Sequence, residues 1–341
     1  MKFRWIAVAV AAIVVGAGMA VLAKAEEPQA AGGFDFANGE VVAGGLELPW
    51  GLDFLPDGSA LVTQRDTAEI LQLVPGQPAE TVATIAEVVP GGEGGLLGLA
   101  VSPDYESDQL IYLYYTTAGD NRVGTVTLAD PTPQPIITGI PKANIHNGGR
   151  VEFGPDGKLY VTTGDAANGD FSQDPESLGG KILRLEPDGS VPDDNPNPDS
   201  PVYTLGHRNV QGLAWTEAGD AYASELGQNT FDEVNRIEAG NNYGWPIVEG
   251  PGGEPEFADP IVTWPTSQAS PSGAAIHGDT MFVAALRGAR LWLVPLNGGE
   301  PEAVLQGDHG RLRTVEVGPD GWLWITTSNG GNDLVVRYPP E

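Results

Sequence analysis

Val151-Glu-Phe-Gly-Pro-Asp-Gly-Lys-Leu-Tyr-Val-Thr162 is the stretch on which the fold turns. Apolar residues recur at every second position on either side of a Pro-Asp-Gly turn, which is the period of a half-buried strand. The Asp-Gly pair suits a tight connection between antiparallel strands, so the stretch predicts a β-hairpin. The same phrase stands at Gly51-Leu-Asp-Phe-Leu-Pro-Asp-Gly58 leading into Leu61-Val-Thr63, and at Gly98-Leu-Ala-Val-Ser-Pro-Asp104 leading into Ile111-Tyr-Leu113. It returns at Gly212-Leu-Ala-Trp-Thr-Glu-Ala-Gly219 with Ala221-Tyr-Ala-Ser224, at Gly273-Ala-Ala-Ile-His-Gly278 with Met281-Phe-Val283, and at Val315-Glu-Val-Gly-Pro-Asp-Gly321 with Leu323-Trp-Ile-Thr326. Six copies at a spacing of about 40 to 60 residues are what a four-stranded sheet produces when it repeats around an axis. The expected fold is therefore all-β: a six-bladed β-propeller with four-stranded antiparallel blades. An open β-sandwich with similar turns is the alternative. A ring also spares so much strand from exposed edges, most simply if the strand near Val41 or Val335 completes a blade begun at the other terminus.

Composition agrees with one closed all-β unit. Among 341 residues there are 47 Gly and 29 Pro, which implies many turns and few long helices, and 41% are hydrophobic, enough for a core. Lys and Arg number 17 against 46 Asp and Glu, a formal charge of −29 that repels phosphate backbones and anionic bilayers. Nucleic acid is excluded as a partner on that ground. Where cations do cluster in such a chain, the cluster needs a reason.

Lys2 and Arg4 precede an apolar run from Trp5 to Ala23 that ends in Ala23-Lys24-Ala25. Residues 1–25 read as a signal peptide cleaved before Glu26, or as a membrane anchor, since the run is near the lower limit for spanning a bilayer. Either way the protein is expected to be exported, periplasmic or secreted, with no membrane insertion of the mature domain. Residues 26–36, rich in Ala, Gly and Glu, read as a flexible tether, and 37–341 as the propeller. Without cysteine there is neither a disulfide framework nor a lipidated thiol. The sequence carries no signal for an oligomeric state.

Propeller function gathers in loops at one mouth of the central channel, so residues that interrupt the hairpin phrase are the candidates. Glu93-Gly-Gly-Leu-Leu-Gly98 offers close backbone approach beside an acid. His146-Asn-Gly-Gly-Arg150 and Thr163-Gly-Asp165 flank the third hairpin, placing His146 and Asp165 at one end of a blade, where the carboxylate can orient the imidazole as a base. A structural loop histidine is the plainer alternative. Leu205-Gly-His-Arg-Asn-Val-Gln-Gly212 directs Arg208 and Asn209 toward the channel, with His207 read as a packed neighbour. Glu225, Gly227, Gln228 and Asn235, in and around Ser224-Glu-Leu-Gly-Gln228 and Asp232-Glu-Val-Asn235, supply hard oxygen donors of the kind calcium needs, or else a solvated acidic loop. Arg287, Arg311 and Arg313 lie beside blade strands; in a chain this poor in cations they suggest a bound polyanion, with pairing to surface acids as the alternative.

In their order along the chain these phrases resemble the soluble pyrroloquinoline quinone-dependent sugar dehydrogenases, the glucose/sorbosone and aldose sugar dehydrogenase family. The resemblance runs from about Leu48 to Tyr338. Its most specific pieces are Glu93-Gly-Gly-Leu-Leu-Gly98, His146-Asn-Gly-Gly-Arg150, Gly180-Lys-Ile-Leu-Arg184, Gly206-His-Arg-Asn209, Asp232-Glu-Val-Asn235, Asn242-Tyr-Gly-Trp-Pro246 and Arg311-Leu-Arg313. It implies oxidation of an aldose at C1 to the lactone, using pyrroloquinoline quinone and Ca2+, a small sugar substrate and an external electron acceptor. His146 looks like the general base during hydride transfer to quinone C5, oriented by Asp165. Arg208 looks like the residue that stabilises charge on the quinone oxygen, with Asn209 beside it. Glu93 sits where the family contacts cofactor or substrate, and Arg287, Arg311 and Arg313 would clamp cofactor carboxylates. The backbone carbonyls of Gly227 and Gln228 would hold the calcium, in a loop where the family carries Pro rather than Gln228, and Glu225 and Asn235 resemble further calcium contacts. Ile145 and Ile261 replace an acid and an aromatic of glucose-oxidising members, which favours a broader aldose specificity. Two other readings compete: an exported sugar- or partner-binding propeller without turnover, and a calcium-dependent lactonase-type hydrolase.

Overall fold

The computed structural model describes residues 31–253 and 255–341; the expected signal segment and residues 26–30 of the expected tether lie outside them. Strand Glu40–Leu46 (β1) precedes six hairpin-led units. The first is Pro49–Phe54 (β2), Ala60–Gln64 (β3), Glu69–Leu73 (β4) and Glu80–Thr84 (β5), and the second Leu96–Val101 (β6), Ile111–Thr116 (β7), Asn121–Val126 (β8) and Gln134–Ile140 (β9). The third is Val151–Phe153 (β10), Leu159–Thr162 (β11), Lys181–Leu185 (β12) and Val202–Leu205 (β13), and the fourth Val210–Trp215 (β14), Ala221–Glu225 (β15), Phe231–Ile237 (β16) and Val262–Pro265 (β17). The fifth is Pro271–His277 (β18), Thr280–Ala285 (β19), Arg290–Pro295 (β20) and Glu302–Val304 (β21), followed by Leu312–Val317 (β22), Leu323–Thr327 (β23) and Asp333–Tyr338 (β24). Two one-turn helices, Tyr105–Asp108 (α1) and Asp170–Gln173 (α2), interrupt the connections.

Each sheet has four strands, all antiparallel, in chain order except the last, where β1 adds outside β24 and Val41 pairs with Val336. The N-terminal strand thus closes the ring, as expected for an architecture that leaves no blade incomplete. All six copies of the hairpin phrase occupy the first two strands of a blade. Those first strands touch one another around the axis, with β11 taking up the contact between the third and fourth blades.

Two features of the phrase explain the close approach. A Cβ on Gly51 would stand 2.8 Å from the Leu99 amide, and one on Gly98 would strike the Gly149 carbonyl, so the inner strands meet only where the side chain is absent. The Thr or Ser that ends the second strand then ties neighbouring blades together. Thr63 Oγ1 accepts the Gly51 N–H at 2.8 Å and donates to the Leu97 carbonyl of the next blade at 2.5 Å. Thr162 repeats this between the Arg150 N–H and the Val210 carbonyl, and Ser224 donates to the Ser272 carbonyl. In the first blade the inner strand bulges at this point, and the hydroxyl satisfies an N–H that the ladder leaves out.

The core is divided among the blade interfaces. Leu61 and Ile70 pack with Leu96 and Leu113 between the first and second blades, and Val42, Leu52 and Trp324 pack between the sixth and the first. Each fully buried aliphatic side chain contributes about 1.5–3 kcal/mol, so the ring is held by every interface in turn.

One boundary moves. Residues 31–36, assigned by composition to the tether, are part of the packed structure: Phe34 is fully buried, edge-on to Phe282 at 5.4 Å, and the Asp35 N–H donates to the Pro339 carbonyl. Two aromatic residues, Phe34 and Phe36, supply enough apolar surface to dock a segment whose Ala and Gly content reads as flexible.

Candidate active site

His146 lies in the connection from β9 to β10 and Asp165 just beyond β11, and the third hairpin brings them together. His146 Nδ1 is 2.7 Å from Asp165 Oδ1. Asp165 is nearly fully buried, and its carboxylate also accepts the Ala167 N–H at 2.8 Å and the Trp245 indole N–H at 2.9 Å. A carboxylate against Nδ1 requires the proton there, which leaves the Nε2 lone pair free to accept another. The backbone of His146 sits at φ 59°, a left-handed conformation, and its N–H donates to Glu93 Oε2 at 2.7 Å. Glu93 therefore fixes the conformation that aims the ring. His146, Asp165, Arg208, Gln228, Asn229 and Trp245 line a cleft of ≈ 660 Å3.

A second cavity of ≈ 460 Å3 is lined by Trp50, Arg65, Glu93, Gln211, Arg311 and Arg313 among others. Glu93 joins the two, since it lines the second and holds the base of the first. Arg313 is buried; its Nη1 donates to Gln211 Oε1 at 2.8 Å, and its guanidinium lies 5.6 Å from the Trp50 ring centroid. Burial first, then the neighbouring cations Arg65, Arg311 and Arg150 against the opposing Glu93, push Arg313 down to about 9. Cations crowded in a strongly acidic protein mark a place built for negative charge. Arg311 is exposed, with Nε donating to the Ser328 carbonyl at 3.1 Å, yet it lines the same cavity as Arg313 despite the strand irregularity between Leu312 and Thr314. Arg287 differs from the expectation: it is exposed and forms no part of either wall, while its neighbour Leu286 does.

Arg208 lines the His146 cleft, its guanidinium 5.5 Å from the Trp245 ring centroid. Its Nη1 donates to the carbonyls of Leu226 at 3.1 Å and Gly227 at 2.6 Å. Burial lowers its basicity, opposed by Asp165, Glu225, Glu249 and Glu93. Asn209 Oδ1 accepts the Gly148 N–H at 2.9 Å. Three buried donors here, Arg208 Nε, Asn209 Nδ2 and Arg313 Nε, have no partner in the protein. An unmet buried donor costs about 1–3 kcal/mol, so this arrangement suits a ligand rich in acceptors.

The expected calcium residues separate. Gln228 lines the cleft, and the carbonyl of the preceding Gly227 is turned toward Arg208. Glu225, expected to contact the metal, has both oxygens engaged: Oε2 accepts from His207 Nδ1 at 2.8 Å and Oε1 from the Arg208 N–H. It positions the Arg208 backbone because β15 ends there, facing inward. Asn235 is buried in β16, donating to Glu233 Oε2 at 3.3 Å and leaving Oδ1 without a partner. His207 is a packed residue, fully buried and stacked on Tyr243 at 4.7 Å. Ile145 lines the cleft and Ile261 does not.

Sequence reading missed Trp50, Arg65 and Glu249. Trp50 sits beneath both Arg150, at 4.7 Å, and Arg313, and its only sequence signal is an aromatic next to the glycine of the first phrase. Arg65 follows the second strand of the first hairpin, the position that in the third hairpin begins the run to Asp165. Glu249 accepts from the N–H groups of Gln228, Asn229, Thr230 and Phe231 through one oxygen, a contact with no local pattern.

A propeller mouth that sets a carboxylate-oriented histidine near a cationic, donor-rich cavity has the parts of an enzyme site, a base beside a place for an anionic ligand. The family model described as glucose/sorbosone dehydrogenase matches residues 46–336, and the chain belongs to that family. The solved structure of the quinone-bound form of aldose sugar dehydrogenase from Streptomyces coelicolor is 46% identical with a TM-score of 0.85, over 89% of this chain and 99% of that one. Aldose sugar dehydrogenase YliI of Escherichia coli is 28% identical over 89% of this chain and 93% of its own length. Quinoprotein glucose dehydrogenase B of Acinetobacter calcoaceticus is 35% identical over 62% of this chain, which spans about half, 52%, of that relative.

Proposed function

We propose that the chain oxidises an aldose at C1 to the lactone, with pyrroloquinoline quinone in the cationic cavity and calcium beside it. The observation that carries this is the set of partnerless buried donors, Arg208 Nε, Asn209 Nδ2 and Arg313 Nε, next to a histidine with a free Nε2. A tricarboxylate ortho-quinone offers acceptors of the kind those donors lack. The relative from Streptomyces coelicolor that binds this quinone covers nearly the same span.

His146 takes the proton of the C1 hydroxyl through Nε2, and Asp165 stabilises the resulting imidazolium through Nδ1. Arg208 presents positive charge in the cleft beside His146, already oriented by the carbonyls of residues 226 and 227 and by the Trp245 face. Arg311 and Arg313, with Gln211 fixing the latter, hold carboxylate charge. Glu93 keeps the base in register. When bound, the quinone supplies the electron sink that accepts the hydride from C1 and passes its electrons to an external acceptor. The Gly227 and Gln228 carbonyls are hard oxygen donors that suit calcium, which would polarise a quinone carbonyl as a Lewis acid. The aliphatic Ile145 in the cleft wall favours a range of aldoses over glucose alone. Export of residues 1–25 would place the reaction outside the cytoplasm.

A lactonase-type site needs metal-binding side chains along the channel, and among the described residues no three His, Asp or Glu groups could hold a metal ion. The test is an absorbance titration of the purified apoprotein with the quinone, with and without calcium chelation, followed by dye reduction on aldoses. Saturable uptake and sugar-dependent dye reduction are expected. Bound quinone without dye reduction across a wide sugar panel would favour the binding propeller instead.

A further inference from the structure

Between β15 and β16 the chain runs through Leu226, Gly227, Gln228, Asn229 and Thr230, and the hydrogen bonding of this loop is lopsided. Glu249 Oε1 accepts the N–H groups of Gln228 at 2.7 Å, Asn229 at 2.9 Å, Thr230 at 3.0 Å and Phe231 at 3.3 Å. The preceding N–H, that of Gly227, donates to Asp232 Oδ1 at 3.0 Å, whose other oxygen accepts from the Ser270 N–H. The run of amides from Gly227 to Phe231 is therefore committed to two carboxylates. Successive N–H groups that converge this way form an anion-binding concavity, and here the anion is the protein's own side chain.

With the amides drawn to one side, the polar groups that the loop offers elsewhere are its carbonyl oxygens. Those of Leu226 and Gly227 each accept from Arg208 Nη1 through one lone pair and keep a second. We propose that Glu249 is a positioning residue that presets this loop as a carbonyl donor set for a divalent cation at the cleft. The proposal rests on the calcium reading above and deepens it. Glu249 also cancels the positive ends of four peptide dipoles that would otherwise oppose a nearby cation. The clamp is itself anchored, since the adjacent Gly250 N–H donates to Glu233 Oε1 in β16 at 2.6 Å. Proline at 228 would restrain the loop by a different route: it fixes φ and removes the N–H that makes the shortest of the four bonds.

The experiment compares wild type, Glu249→Gln, Glu249→Ala and Glu249→Ala with Gln228→Pro. Amide hydrogen exchange of 228–231 in the metal-free, quinone-free protein reads the clamp, and terbium or calcium titration of the same protein reads the cation site. Glu249→Ala should speed exchange of those amides and weaken cation affinity roughly tenfold, the scale for losing a supporting residue behind a metal ligand. Glu249→Gln should keep more of the protection than of the affinity, because it retains an acceptor oxygen and loses the charge. Added Gln228→Pro should recover part of the affinity lost in Glu249→Ala. Unchanged exchange, or faster exchange with unchanged cation affinity, would overturn the proposal. If the wild type bound no cation, the calcium reading would fall together with the cation role of Glu249. Exchange would then still decide whether Glu249 holds the loop.

Discussion

From Arg311, just before β22, the chain passes through Arg313 at the channel mouth to Glu316 near the hairpin, and from Arg150, just before β10, to Glu152 within it. Trp50 and Asp53 stand in the same order on β2. The innermost strands thus carry cations, Arg150 and Arg313 buried and Arg311 exposed, with an aromatic plate at one end, and half-buried acids at the other. At the mouth the charge remains unsatisfied: donors lack partners, and two joined cavities open beside them. At the hairpin end burial raises Asp53 to about 6, and burial together with the neighbouring acids raises Glu152 and Glu316, although Arg150 opposes this. Those acids can meet the cost of burial by taking up protons, whereas arginine holds its proton far more tightly and needs an anion. One end of the same strands is therefore suited to an anionic ligand, and the acids at the other end can take up protons.

The largest effect that would sharpen this contrast is at the base. His146→Ala should lower turnover by about 10²–10⁴-fold, the range for a lost general base, while the quinone titration stays close to wild type. Unaltered turnover would remove His146 from that role. Next comes the cationic wall, where Arg311→Ala with Arg313→Ala should weaken quinone retention by about 1.5–3 kcal/mol for each charge-assisted hydrogen bond removed. Added salt should shrink the loss caused by removing exposed Arg311 more than that caused by removing buried Arg313. If the double variant titrates as the wild type does, the mouth is not an anion site.

The smallest effect is expected at the acid end. Carboxyls whose folded values are raised above their unfolded ones bind extra protons in the folded state, so their stabilisation is complete below the unfolded values and fades as pH rises through the folded ones. For Asp53 that window closes near pH 6, and for Glu152 and Glu316 it lies higher. The thermal midpoint should fall between pH 5 and pH 8, and Glu316→Gln should reduce that fall by about 2–4 °C, the scale of 1 kcal/mol in a domain of this size. A variant with the same slope as the wild type would show that these acids are solvated in the folded protein.

The recurring hairpin phrase was legible because its information is local: two strands and a turn lie within a dozen residues, and alternation is set by the pleat. The His146–Asp165 pair was legible for the same reason, being carried by the two ends of one hairpin. Arg311 and Arg313 stood out only against the scarcity of cations. By contrast, Glu225 reads as an oxygen donor for metal, and in the structure it is occupied by His207 and the Arg208 backbone, because a side chain's partners depend on the loop that crosses it. Arg287 likewise shares the chemistry of the other arginines but not their direction.

By itself the sequence determined the repeating unit, the number of blades, the acidic surface and the dyad, since each follows from neighbours in the chain. The tertiary structure decided which charges meet. Arg150 reaches Thr314 across 164 positions, Trp245 donates to Asp165 across 80, and Glu249 gathers amides some 20 residues away. Ring closure brings such residues to one axis, and burial there sets whether a charge keeps its proton, finds a partner or waits for a ligand.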